Sequence, residues 1–114
     1  MKAFKSAITG HLDVFVSVNE ETLDGETMRW NEVLIHGNPE GLRYFANLLL
    51  ELADIDQESD DSLPVGARSH IHLRPNLELS KSSDVIIAGR LDAKGTGVFY
   101  ERYISKENNT KNKK

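Results

Sequence analysis

The segment "HGNPEGLRYFANLLLELADI", residues 36–55, places the strongest constraint on how this chain folds. Asn38 suits a helix N-cap, Pro39 suits the first helical position, and Glu40 falls in the first turn, where the helix dipole favours an acid. Leu42, Phe45, Ala46, Leu49, Leu52 and Ala53 then recur at the i, i+3, i+4, i+7 spacing of an amphipathic helix, with Leu48 and Ile55 widening the stripe. Arg43, Asn47, Glu51 and Asp54 fall mostly away from it. The spacing predicts one helix over about 39–55. A lone amphipathic helix must bury its stripe on something else, and strands are the remaining material.

Strand signals flank the helix on both sides. "HLDVFVSVN" sets Leu12, Val14, Val16 and Val18 against Asp13, Phe15 and Ser17. "TMRWNEVLIHG" runs directly into the helix, and Asp24-Gly25 between these two segments predicts the tight turn of an antiparallel hairpin. "ARSHIHLRP" and "SDVIIAGRL" form a second pair, joined by residues 76–82. "GVFYERYI" alternates as well and is expected as a last strand, and "KAFKSAI" as a short edge strand. The expected fold is α+β: a twisted, mainly antiparallel sheet of four to six strands in the order β-β-α-β-β(-β), with the helix packed on one face. The other face meets water or a partner. Residues 1–105 are expected to make one domain, followed by a flexible Lys/Asn-rich tail over 106–114.

A chain of 114 residues can build one core. It has no cysteine, which excludes disulfides and thiolate metal sites and fits a reducing compartment. No apolar run is long enough for a signal peptide or a membrane span, so a cytoplasmic location without membrane contact is expected. The net charge of −4 conceals a basic tail, since "KENNTKNKK" carries four lysines and one glutamate, and the remainder stands at −7. An acidic body argues against nucleic acid, which requires a basic footprint, and suits a basic protein partner. Many cytosolic proteins are mildly acidic with no such partner.

Four polar side chains alternate through "RSHIHLRP". In a strand Arg68, His70, His72 and Arg74 share one face, while Ile71 and Leu73 point to the helix. Two imidazoles need a further ligand to hold a metal, which His36 could supply only from a neighbouring strand, and the flanking arginines would repel a cation. The same face could instead meet an anion or an acidic partner, with the histidines adding charge only in acid. It is equally readable as the wet side of a strand. The second feature is "ELADIDQESDD", where Glu51, Asp54, Asp56, Glu58, Asp60 and Asp61 make six acids in eleven residues. Acids at a helix C-terminus oppose the dipole, so the cluster serves either solvation or a basic partner. It lacks the central glycine of a calcium loop. Gly37 and Gly41 around the cap form neither a P-loop nor a dinucleotide fingerprint and suit a close helix–strand approach. Trp30, Phe99, Tyr100 and Tyr103 are candidates for a homodimer or partner patch on the open sheet face, or for a satellite core. No serine sits in a nucleophile elbow and no paired carboxylates occupy a cleft, so no enzyme, catalytic residue or cofactor is expected.

From His36 to about Arg90, the pattern of Gly37, Gly41 and Leu42, then His70, His72, Leu73 and Pro75, then Ser83 and Val85 to Ile87, resembles a family of small bacterial α+β immunity proteins of polymorphic toxin systems. The resemblance implies a non-enzymatic module that binds and neutralises a cognate toxin. It carries over no catalytic residue. A small metal- or anion-binding module on the His70/His72 face, and a regulatory homodimer, are the alternatives.

Overall fold

A computed structural model describes residues 10–106. The elements are β1 (Leu12–Leu23), β2 (Glu26–Gly37), α1 (Pro39–Asp54), a 3-10 turn (Gln57–Ser59), β3 (His70–Leu73) and β4 (Ile86–Gly89). The fold is α+β in the expected order. β1 and β2 form a long antiparallel hairpin whose register runs unbroken from Leu12 opposite Gly37 to Leu23 opposite Glu26. The turn places Asp24 at φ 52 and Gly25 at φ 80. Two left-handed residues in a two-residue loop make a type I′ turn, whose twist matches that of the strands it joins.

Such a turn closes on Leu23 and Glu26 as a hydrogen-bonded pair, and such pairs alternate along the hairpin with pairs whose backbone groups point outward. Leu12 and Val14 therefore present their N–H and C=O groups to the outer edge of β1. The Ser80 N–H donates to the Leu12 carbonyl (2.8 Å), and the Asp84 N–H donates to the Val14 carbonyl (2.7 Å). The Ser83 hydroxyl accepts from the Val14 N–H (2.9 Å).

The expected single sheet is in fact two two-stranded sheets, β1–β2 and β3–β4. The segment that joins them, residues 80–84, docks on β1 while keeping a turn of its own, with the Ser83 N–H donating to the Ser80 carbonyl (3.1 Å). It therefore cannot extend the ladder. The expected last strand, "GVFYERYI", is turn and irregular chain: Gly95 and Gly97 stand at φ 83 and 72, and the Tyr103 N–H closes on the Tyr100 carbonyl (3.0 Å). The expected edge strand "KAFKSAI" and nearly all of the expected tail lie outside the described residues.

The core is Leu12, Val14, Leu48, Ile71, Leu73 and Leu79, with Tyr44, Phe45, Ile86 and Ala88 packed against it. Ile71 and Leu73 thus point inward, as the alternation predicts. The buried helix face is Gly41, Leu48 and Leu52, flanked by half-buried Tyr44 and Phe45. Leu42, Ala46, Leu49 and Ala53 are exposed. The stripe is turned by about one position from the expected one, and the helix start shows why. The Asn38 side chain accepts from the Gly41 N–H (2.9 Å) and also from the His11 N–H (2.9 Å), while the Asn38 N–H donates to the His11 carbonyl (3.2 Å). The helix is pulled onto the entry to β1 along its Gly41 side, so closely that a Cβ on Gly41 would collide with the His11 backbone.

Gly41→Ala raises helix propensity by about 1 kcal/mol in an open helix. Here it is expected to lower the thermal midpoint, because neither backbone can yield. Leu73→Ala, at a site 1% exposed, is expected to cost about 2–5 kcal/mol in urea unfolding. A neutral Gly41→Ala would refute the close-contact account.

Candidate partner-binding surfaces

β3 and β4 hold the histidine face. His70 and His72 are exposed, with ring centroids 5.0 Å apart, and the His70 Nδ1 lies 3.1 Å from the Arg68 carbonyl oxygen. Together with Ile87, Gly89 and Tyr100 they line an open recess of about 390 Å³. Among the described residues no group of three or more histidines and carboxylates is arranged to hold a metal. The two arginines each have bonds of their own. Arg68 donates from Nε to the Leu91 carbonyl (2.6 Å) and from Nη2 to the Val98 carbonyl (2.6 Å), with its guanidinium 4.0 Å from the centroid of the Tyr100 ring. It clamps the chain after β4, with two of its donor nitrogens committed to backbone carbonyls. Arg74 is exposed and pairs with the buried Glu78 at 3.5 Å.

The acidic segment runs from the last turn of α1, which carries Glu51 and Asp54, into a turn bonded to other parts of the chain. Buried Gln57 donates to the Asp92 carbonyl (2.9 Å) and accepts from the Ser69 N–H (2.7 Å), so it bridges three parts of the chain. The Lys94 ammonium donates to the Asp60 and Leu63 carbonyls (2.6 and 2.7 Å), and Glu58 accepts from the Gly95 N–H (2.9 Å). Asp56 accepts from the Ser59 hydroxyl and Asp60 from the Ser62 hydroxyl. Glu51, Asp54 and Asp61 are exposed. The residue that makes an acidic helix end tenable is Arg90, which sequence reading missed. Its guanidinium donates to the Leu52 and Ile55 carbonyls (3.2 and 2.9 Å) and to both oxygens of Asp92 (2.9 and 2.7 Å). A fixed cation thus caps the terminus whose dipole the acids oppose. An arginine followed two residues later by an aspartate is too common a pattern to have flagged it.

A third surface was largely missed as well. Beyond Asn19 the hairpin leaves the body, and every residue from Glu20 to Val33 is exposed. Val18, Met28 and Val33 are 70%, 63% and 64% exposed, and Leu23 is also open. Trp30 is exposed, its indole N–H donating to Glu32 (3.0 Å). Five acids stud this arm, Glu20, Glu21, Asp24, Glu26 and Glu32, against one base, Arg29, which pairs with Glu20 at 2.8 Å. Among the aromatics singled out in the sequence, Trp30 belongs to this arm, while Phe99, Tyr100 and Tyr103 group beside β4, with Phe99 and Tyr103 in edge contact at 5.5 Å.

These features define a small α+β domain that presents open surfaces. The chain belongs to the family described as Immunity protein 32, whose model matches residues 32–91. That span runs from within β2 through α1 and β3 to just past β4. No curated protein and no solved structure matches the chain. Among the described residues no helix is long and apolar enough to cross a membrane.

Three aspartates are held ionised by hydrogen bonds, one across the fold and two within local turns. Asp13 accepts from the Ser80 and Ser82 hydroxyls (2.6 Å each), and these two bonds hold its carboxyl below the ordinary 3.8. Asp60 is lowered by Ser62, and Asp92 by Arg90. A depressed carboxylate contributes stability above its unfolded-state value and loses it as pH falls through the folded-state value. Stability is therefore expected to hold at neutral pH and to fall below about 3.8. Asp13→Asn should flatten that acid limb in urea titrations at several pH values. Arg90→Ala should cost about 1–3 kcal/mol, the range for removing charge-assisted hydrogen bonds.

Proposed function

We propose that this protein is a non-enzymatic, cytoplasmic immunity protein that binds a cognate bacterial protein toxin and neutralises it. Membership of the Immunity protein 32 family carries this reading. The charge distribution supports it. A toxin that acts on nucleic acid carries a basic surface, and an acidic inhibitor can compete for that surface with electrostatically steered association. The acidic turn is the first candidate contact. It is held rigid by Gln57 and Lys94, so presenting Glu51, Asp54 and Asp61 involves little ordering cost. The strand face of Arg68, His70, His72 and Arg74 is the second. There the exposed histidines offer their rings, while two donor nitrogens of Arg68 are committed to backbone carbonyls and Arg74 pairs with Glu78.

The test is co-expression with the product of the adjoining gene. Growth arrest by that product should be relieved by this chain, and the two should co-purify. Glu51→Lys combined with Asp54→Lys and Asp61→Lys should slow association by about tenfold or more at low salt and much less at high salt. An adjoining product that is harmless, or that this chain fails to bind, would remove the reading.

A further inference from the structure

The outer edge of β2 is an open pairing surface. In the alternation set by the type I′ turn, Thr27, Arg29, Asn31, Val33 and Ile35 direct their backbone N–H and C=O groups away from β1. The same alternation places Leu12 and Val14 outward on β1, and those groups are taken by Ser80, Ser83 and Asp84. No strand covers β2 among the described residues. Natural edges are usually blunted by charged side chains, lysine above all, or by a proline, a bulge, a cover or shortness, and on β2 that role falls to Glu26 and Glu32. β2 has twelve residues in unbroken register, with no proline and no lysine. Its one arginine, Arg29, is held by Glu20 on β1.

We propose that β2 is the docking strand for an extended, basic segment of a protein partner, which adds to the hairpin as a third strand. Backbone bonds to Arg29, Asn31 and Val33 supply the pairing, and side chains supply the choice. Glu26 and Glu32 lie on the edge strand itself, with Glu20, Glu21 and Asp24 close by on the arm. A second copy paired antiparallel about Arg29 would set Glu26 against the Glu32 of that copy, so the charge disfavours self-pairing in that register, and the acids favour a lysine- or arginine-bearing strand. Met28 and Trp30 share the face of Glu26 and Glu32, and Val33 and Ile35 lie on the opposite face, so bases are wanted on the first and apolar residues on the second. The added strand that fits therefore alternates basic and apolar residues. At the base of β2, the Leu42 side chain stands beside Gly37 and extends the apolar surface onto α1. The proposal rests on the immunity reading only for the identity of the partner as a toxin.

The test uses the full chain and two short synthetic peptides, one alternating lysine with valine and one alternating glutamate with valine. The lysine peptide should bind, and the amides of Arg29, Asn31 and Val33 should gain protection in hydrogen exchange followed by NMR. Asn31→Pro removes a donor from the outer edge only, because Asn31 lies opposite Val18 in an outward-facing pair. It should weaken peptide binding by about tenfold, as expected for one lost backbone bond and a disturbed neighbour. Glu26→Lys with Glu32→Lys should transfer the preference to the glutamate peptide, which tests the same edge should the proline variant fail to fold. Unchanged preference in the charge variant, or protection confined to other amides, overturns the proposal. So does a native dimer that Asn31→Pro converts to monomer, since the occupant would then be a second copy. Peptide binding without binding of the adjoining gene's product would sink the immunity reading and leave the edge assignment standing.

Discussion

The tie between Asn38 and His11 is the constraint on which the rest of the body depends. One side-chain oxygen accepts from the first turn of the helix and from the residue leading into β1, and the Asn38 N–H returns a bond to the His11 carbonyl. A helix start leaves backbone donors without intrahelical partners, and an Asn N-cap ordinarily answers one of them. Here the same oxygen also fixes where the strand begins. The bond spans 27 residues, the whole length of the hairpin, so it closes the hairpin's two ends onto the helix. Gly41 and Gly10 then matter because each lacks a Cβ where helix and strand entry meet. With that junction closed, Leu12 and Val14 lie under Leu48, and β3 completes the core through Ile71 and Leu73.

Local signals were legible to the extent that they were self-contained. The Asn-Pro-Glu helix start, the Asp-Gly turn and the inward pair in "HIHL" each depend on neighbours in sequence, and each stands as expected. The helix stripe was legible as a stripe but not in its azimuth. Leu42 and Leu49 satisfy the periodicity as well as Leu48 does. The choice is made by the Asn38 junction, which periodicity does not encode. The single sheet failed for a similar reason. Alternating residues in "GVFYERYI" carry strand propensity, but Gly95 and Gly97 turn the chain, and Arg68 fixes the Leu91 and Val98 carbonyls in that turned course. Tertiary contacts overrode local preference.

The candidate surfaces divide along the same line. Charge in the 51–61 segment was visible as composition, whereas its rigidity was not, because it derives from Gln57, Arg90 and Lys94 reaching across the fold. Arg68 shows the reverse case. As a cation beside two histidines it suggests anion chemistry, yet its donors are directed to backbone carbonyls, and its role is to hold the segment that carries Tyr100. Exposed charge near a recess is thus weak grounds for a ligand until the donors have been traced.

The arm poses a separate physical question, which is why a two-stranded ribbon should extend so far from a small core. An isolated hairpin is marginal in water, and its outer half here gains little from burial. The outer residues nonetheless include Val18, Leu23, Met28 and Val33, which a merely solvated ribbon has no need of. A turn with both central residues left-handed, a Thr22–Thr27 side-chain contact at 3.0 Å and the Glu20–Arg29 pair all favour the ribbon as a formed element. Those devices stabilise the pairing between β1 and β2 and, among the described residues, leave the outer edge of β2 without a strand partner. A preformed strand whose outward groups meet no strand among the described residues offers a partner its backbone bonds at small ordering cost. Its acids limit which partner can take them, so stability and selectivity come from different parts of one hairpin: the turn and cross-strand pairs hold its shape, while the edge and its charges choose what is added to it.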